Sequence, residues 1–140
     1  MKVLIFINHM KYTSLVVAGS ILLFSCGSSG DSLPTTDLEA AKQFVDNIWH
    51  SDFKKAEKLL LNDESNKQTF DGFRAYYNRL PKDELEKYKN ATLVLNSVTP
   101  LNDSVSLVNF SPYFNKAKKD ELKIVRTNGQ WYIDLKPEIK

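Results

Sequence analysis

The chain has 140 residues, 42% of them hydrophobic, with 19 basic and 17 acidic side chains, five glycines, five prolines and one cysteine. That size suits one folded domain with a core of its own. The near balance of charge argues against nucleic acid as a partner, since phosphate binding needs a clustered basic face, and a lone cysteine cannot form an internal disulfide.

The N-terminal segment carries the clearest signal. Leu15 to Phe24 form an apolar run of ten residues preceded by Lys11. This is the length of a signal-peptide core and about half the roughly 20 residues of a spanning helix. A second apolar patch, Val3 to Ile7, precedes Lys11, which leaves both Met1 and Met10 as possible translation starts. The run ends at Leu23-Phe24-Ser25-Cys26, followed by Gly27-Ser28-Ser29-Gly30.

This pattern resembles the lipobox of bacterial lipoproteins. The resemblance implies cleavage before Cys26 and diacylation of its thiol, which would anchor the protein to a membrane in the bacterial cell envelope. Two acyl chains hold stably where one is marginal. The implied organisation is a signal peptide over 1–25, a lipidated cysteine and flexible tether over 26–35, and a domain over 36–140. The residues after Cys26 lack an acidic export cluster, so the outer membrane facing the periplasm is the expected location, with surface exposure left open. Processing would also remove Lys2 and Lys11, leaving 17 basic against 17 acidic residues in a neutral mature chain.

Beyond the tether, Thr36 and Glu39 have capping-box spacing and place a helix start there. Leu38, Ala41, Phe44, Val45, Ile48 and Trp49 recur at helical spacing, and the helix should end near His50. Ser51 is the expected N-cap of a second short helix with Phe53, Ala56, Leu59 and Leu60 inward. A third is expected from Asn66 to Leu80, turning Phe70, Phe73, Tyr76, Tyr77 and Leu80 inward, with Gly72 as a point of bending. Pro81 introduces a short helix over residues 82–89.

From residue 91 the pattern changes to strands. Residues 91–99 and 104–111 are rich in β-branched and aliphatic side chains around the turn-like Pro100-Leu101-Asn102-Asp103. Residues 122–126 and 131–135 flank Asn128-Gly129, the strongest hairpin signal in the chain. The intervening loop, 112–120, carries Lys116, Lys118 and Lys119. The expected fold class is therefore α+β, with N-terminal helices packed on a curved antiparallel sheet of about four strands.

The order of elements, the segment Ser51-Asp52-Phe53-Lys54-Lys55-Ala56 with Ala41 and Phe44 before it, and the closing hairpin Val125 to Leu135 resemble the NTF2-like (cystatin-like α+β) superfamily. More narrowly they are similar to its small DUF4878-type lipoproteins. The resemblance covers residues 36–136 and implies a cavity between helices and sheet. In that superfamily the cavity serves isomerases and dehydratases as well as binding and assembly domains.

Candidate chemistry is sparse. An isomerase-type site needs a carboxylate base and a phenol or acid donor in an apolar pocket. Asp46, Asp52, Asp71 and Asp134 are the carboxylates and Tyr76, Tyr77, Tyr113 and Tyr132 the phenols, but no spacing joins them. Asp46 falls on the outer side of its helix, and Asp134 alternates with Trp131, Ile133 and Leu135 and should face water. His50 is the only histidine after processing and suits the carbonyls of a helix end. No spacing of metal ligands occurs in the mature domain, and no cofactor is implied.

Phe70, Phe73, Tyr76 and Tyr77 form an aromatic stripe that either lines a ligand pocket or packs the helix on the sheet. Tyr113 and Phe114 sit in a basic loop, either meeting a partner or membrane surface or folding back on the domain edge. Asp31-Ser32-Leu33 and Asp103-Ser104-Val105 look like Asp-Ser/Thr-aliphatic O-glycosylation sites of Bacteroidota, with Ser32 and Ser104 as acceptors. The expectation is a non-catalytic, membrane-anchored domain that binds a small ligand or an envelope protein partner. A cavity enzyme of isomerase or hydratase type, or a structural subunit that forms a homodimer, are the alternatives.

Overall fold

A computed structural model describes residues 32–136. Cys26, the lipobox-like segment that ends in it and the expected signal peptide lie outside the described residues. Four helices precede four strands: α1 (Asp37–Trp49), α2 (Phe53–Glu57), α3 (Glu64–Tyr77), α4 (Lys82–Lys89), β1 (Leu93–Asn102), β2 (Val105–Pro112), β3 (Asp120–Thr127) and β4 (Gln130–Asp134). The strands pair in chain order as an antiparallel meander, with the helices packed against the sheet. This is the α+β class expected from the sequence.

The Thr36 hydroxyl caps α1 by accepting from the Glu39 N–H at 3.1 Å. The reciprocal half of the expected box is displaced by one residue. The Glu39 carboxylate accepts from the backbone N–H and the hydroxyl of Thr35, at 2.8 and 3.0 Å. Folded structure also reaches back into the expected tether, because Pro34 is buried and its carbonyl accepts from Gln130 Nε2 at 2.6 Å.

Ala40, Ala41, Phe44, Val45, Ile48 and Trp49 bury one side of α1, while Leu38 in the first turn is 39% exposed rather than part of the core. His50 ends the helix and its Nδ1 lies 2.7 Å from the Asp46 carbonyl, serving the helix end as expected. Ser51 does not cap α2. It takes φ +59°, reversing the chain after α1, and Asp52 supplies the cap by accepting from the Lys55 N–H.

α3 begins two residues earlier than expected because Asp63 caps it, and it runs through Gly72 as one helix. Its buried side is narrower than the stripe predicted: Asn66, Phe70 and Tyr77 are buried, while Phe73 and Tyr76 remain exposed.

On the covered face of the sheet, Ser106, Val108 and Phe110 of β2 stand opposite Ile124, Leu122 and Asp120 of β3, and Ile124 stands opposite Ile133 of β4. Val108, Ile124 and Ile133 are almost fully buried beneath the helices. The first turn is tighter than its composition suggested. β1 continues through Pro100 to Asn102, which pairs with Val105, and the Asn102 side chain accepts from the Ser104 N–H at 2.9 Å. At the second turn Asn128 and Gly129 both take positive φ, 51° and 78°, as a two-residue hairpin with the twist of its strands requires.

The margin of β4 is covered by the segment after α2. The Leu61 N–H donates to the Ile133 carbonyl at 2.9 Å, and the Ile133 N–H donates to the Leu59 carbonyl at 2.8 Å. This explains why Leu59 and Leu60 are buried although α2 stops at Glu57.

Candidate functional site: an aromatic cleft between helices and sheet

Helices α1, α3 and α4 do not close completely over the covered face near the start of β3. They leave a cleft of about 350 Å³, within the range of small-molecule sites. Phe44, Val45, Ile48 and Trp49 of α1 border it, with Phe73, Tyr76 and Tyr77 of α3, Tyr88 of α4, Phe110 of β2, and Asp120, Glu121 and Leu122 of β3. Lys118, from the loop before β3, and Leu135 complete the lining.

The aromatic wall is continuous. Tyr77 packs on Phe73 with ring centroids 5.1 Å apart, on Tyr76 at 6.3 Å and on Tyr88 at 5.8 Å, and Tyr88 packs on Trp49 at 5.9 Å. Tilted and edge-on arrangements of this kind suit the ring quadrupoles. Burial pushes the Tyr77 phenol well above its ordinary range, with Tyr88 and Asp120 adding to the effect. The Tyr77 hydroxyl is therefore a neutral polar group inside an apolar wall.

The mouth is polar. Lys118 Nζ lies 2.6 Å from the Tyr88 hydroxyl and 5.1 Å from the centre of the Tyr88 ring. The Tyr88 hydroxyl, accepting this hydrogen bond, raises the lysine above its ordinary value. Asp120 stands directly opposite Phe110 on the covered face, and Asp120 and Glu121 are both exposed.

The residues singled out in the sequence separate into groups. Phe73, Tyr76 and Tyr77 line the cleft, but Phe70 does not. It is 1% exposed and packs on Phe44 and Phe53 in the core, at 6.2 and 6.4 Å. In the loop after β2, a 3₁₀ turn over Tyr113–Asn115 exposes Tyr113 to 63% and Phe114 to 47%. Phe114 nonetheless leans edge-on against Tyr88 at 5.3 Å, and Lys116 lies over the Tyr113 ring at 4.6 Å. Ser32 and Ser104 are exposed.

None of the four carboxylates considered from sequence borders the cleft. Asp52 caps α2, Asp71 pairs with Arg74 at 2.7 Å, and Asp46 is half-buried on α1, where burial raises its carboxyl. Asp134 does not face water as expected; it is 7% exposed. Its Oδ1 accepts from Asn66 Nδ2 and from the Lys136 N–H, each at 3.2 Å, and Lys123 and Lys136 approach it at 3.7 Å. Asp134 does alternate with Ile133 along β4, but the first turn of α3 reaches the end of that strand and covers the position.

No family model, curated protein or solved structure matches this chain.

The lining is therefore the direct guide to function. Tyr88, Lys118 and Asp120 are the members that sequence reasoning missed. Tyr88 lies 30 positions from Lys118, and only the folding of α4 against the β2–β3 loop brings them together. Among the described residues there is no group of three or more His, Cys, Asp or Glu side chains placed to hold a metal ion. No described helix is long and apolar enough to cross a membrane.

Proposed function

We propose that this chain is a lipid-anchored, non-catalytic domain of the bacterial cell envelope, of NTF2-like type, that binds a small ligand in the cleft. The cleft itself is the observation that carries the binding role: apolar and aromatic walls with a few polar groups gathered at the mouth suit recognition of a small molecule. The lipobox carries the location. An isomerase-type site would call for a carboxylate buried beside a phenol. The cleft's carboxylates, Asp120 and Glu121, are instead exposed, which favours binding over catalysis.

Two measurements test the reading. Palmitate labelling of cells producing the chain is expected to mark it and to fail for Cys26→Ser; labelling that survives this substitution removes the anchor. Titration of the full chain with a panel of small aromatic compounds, followed by Trp49 fluorescence in a Trp131→Phe background, is expected to saturate for some members. Tyr76→Ala should weaken those responses. A flat response across the panel counts against a ligand site.

A further inference from the structure

The fold gathers lysines where α2 and the start of α3 meet β4. Residues 59–61 lie along β4, and around them Lys54 of α2, Lys58 at its C-cap, Lys67 of α3 and Tyr132 of β4 border one open groove of about 440 Å³. None of these side chains borders the aromatic cleft. Leu60 and Leu61 make part of the groove apolar, Asn62 and Tyr132 add an amide and a phenol hydroxyl, and Glu57 is the one carboxylate in the lining. On the rest of the surface, Lys55, Lys87, Lys89 and Lys136 each stand within 4.0 Å of a carboxylate. Lys54, Lys58 and Lys67 make no such pair among the described residues. Asp52 is within electrostatic reach of Lys58, but Lys55 already engages it at 3.2 Å.

Charges of one sign around a concavity focus their field on an arriving ion of the other sign. Three ammoniums against one carboxylate leave two positive charges to balance. We propose that this groove binds a phosphate monoester. Its dianion matches that charge, and its oxygens accept hydrogen bonds from the ammoniums. The apolar group of the ester lies against Leu60 and Leu61. A small soluble ester and a lipid headgroup share this chemistry. Three lysines suit a single phosphate, whereas a nucleic acid needs a longer basic face. The groove is separate from the cleft, so the proposal does not rest on the ligand proposed there.

Phenyl phosphate, titrated calorimetrically into the full chain at neutral pH and low salt, is expected to saturate and to bind about fivefold or more tightly than benzoate. Added salt should weaken it. Lys58→Gln and Lys67→Gln should each weaken it about three- to fivefold. Lys42→Gln removes an exposed lysine outside the groove and should leave it unchanged. Melting curves would establish that the variants fold. Flotation with phosphatidylcholine vesicles, with and without phosphatidate, separates the two sources. Capture that requires phosphatidate and is lost in Lys58→Gln assigns the phosphate to a headgroup, while phenyl phosphate binding without capture assigns it to a soluble ester. Benzoate binding as tight as phenyl phosphate, or an equal loss from Lys42→Gln, overturns the phosphate site. So does the absence of binding to both phosphate carriers. A loss confined to Tyr76→Ala places the compound in the cleft, which overturns the groove and leaves the cleft reading in place.

Discussion

Asn66 and Asp134, 68 positions apart, meet through a hydrogen bond of 3.2 Å that fastens the first turn of α3 to the end of β4. Asn66 is fully buried. Its amide nitrogen also donates to Asp63 at 2.8 Å, and its oxygen accepts from the Leu135 N–H at 2.6 Å. Asp63 and Asp134 also hold Lys136, so the amide chiefly serves the Leu135 N–H and the join between the two elements. Asn66→Ala is therefore expected to cost about 1–3 kcal/mol, since it removes a fully buried amide and the acceptor of the Leu135 N–H. Urea unfolding of the pair measures this, and a loss below about 0.5 kcal/mol would remove Asn66 from the framework.

The same cluster makes stability depend on acid. Asp63 is held at about 2, below its ordinary 3.8, first by the Asn66 N–H and then by Lys136, whose ammonium lies 3.0 Å away. A carboxyl with a depressed folded value contributes stability above its unfolded value and loses it as the pH falls through the folded one. The contribution of Asp63 is thus complete above about pH 4 and fades toward pH 2. Asp63→Asn keeps a competent N-cap and removes the charge. Its unfolding free energy should fall less steeply than that of the parent across this window, and parallel curves would rule the linkage out.

Two glycines should respond to alanine with opposite signs. Gly129 takes φ +78° in the β3–β4 turn, where a Cβ would meet nothing within 4 Å, so the penalty is purely one of backbone conformation. Gly129→Ala is expected to cost about 1–2 kcal/mol. Gly72 lies inside α3 with equally open surroundings and no positive φ. Gly72→Ala should stabilise by about 0.5–1 kcal/mol. Thermal melts of the two variants on either side of the parent would establish the contrast.

Phe70 and Tyr76 belong to one aromatic stripe but should separate stability from binding. Phe70→Ala removes a buried ring and is expected to cost about 3–5 kcal/mol. Tyr76 is 56% exposed at the border of the cleft, and Tyr76→Ala should change stability by less than about 1 kcal/mol while weakening ligands that fluorescence detects. Equal losses of stability from both would show that the stripe is only packing.

Much of the architecture was legible because local signals agreed with one another. Helical periodicity marked α1, and Asn128-Gly129 marked the last hairpin before any packing was known. Boundaries drifted where a side chain outside the apolar pattern decided them, as Asp63 and Asp52 do in capping α3 and α2. The cleft was half legible. The α3 aromatics announced a stripe, but the split between buried Phe70 and exposed Tyr76 depends on Phe70 packing onto Phe44 and Phe53 of the first two helices. Tyr88, Lys118 and Asp120 gave no shared local signal, because their proximity arises only when α4 and the β2–β3 loop fold over the same end of the sheet.

The two margins of the sheet are finished differently. Residues 59–61 cover β4, whereas β1 has no strand beyond it among the described residues. β1 carries Pro100, which has no N–H to offer, and register irregularities between Leu95 and Ser97 and between Pro100 and Asn102. Asn96, at the first irregularity, turns its side chain onto Asn109 at 3.0 Å and Ser111 at 3.3 Å. Such an edge is a poor template for an incoming strand. Copies crowded side by side would therefore find only short runs of backbone donors and acceptors along β1, which disfavours extension of the sheet at its first strand.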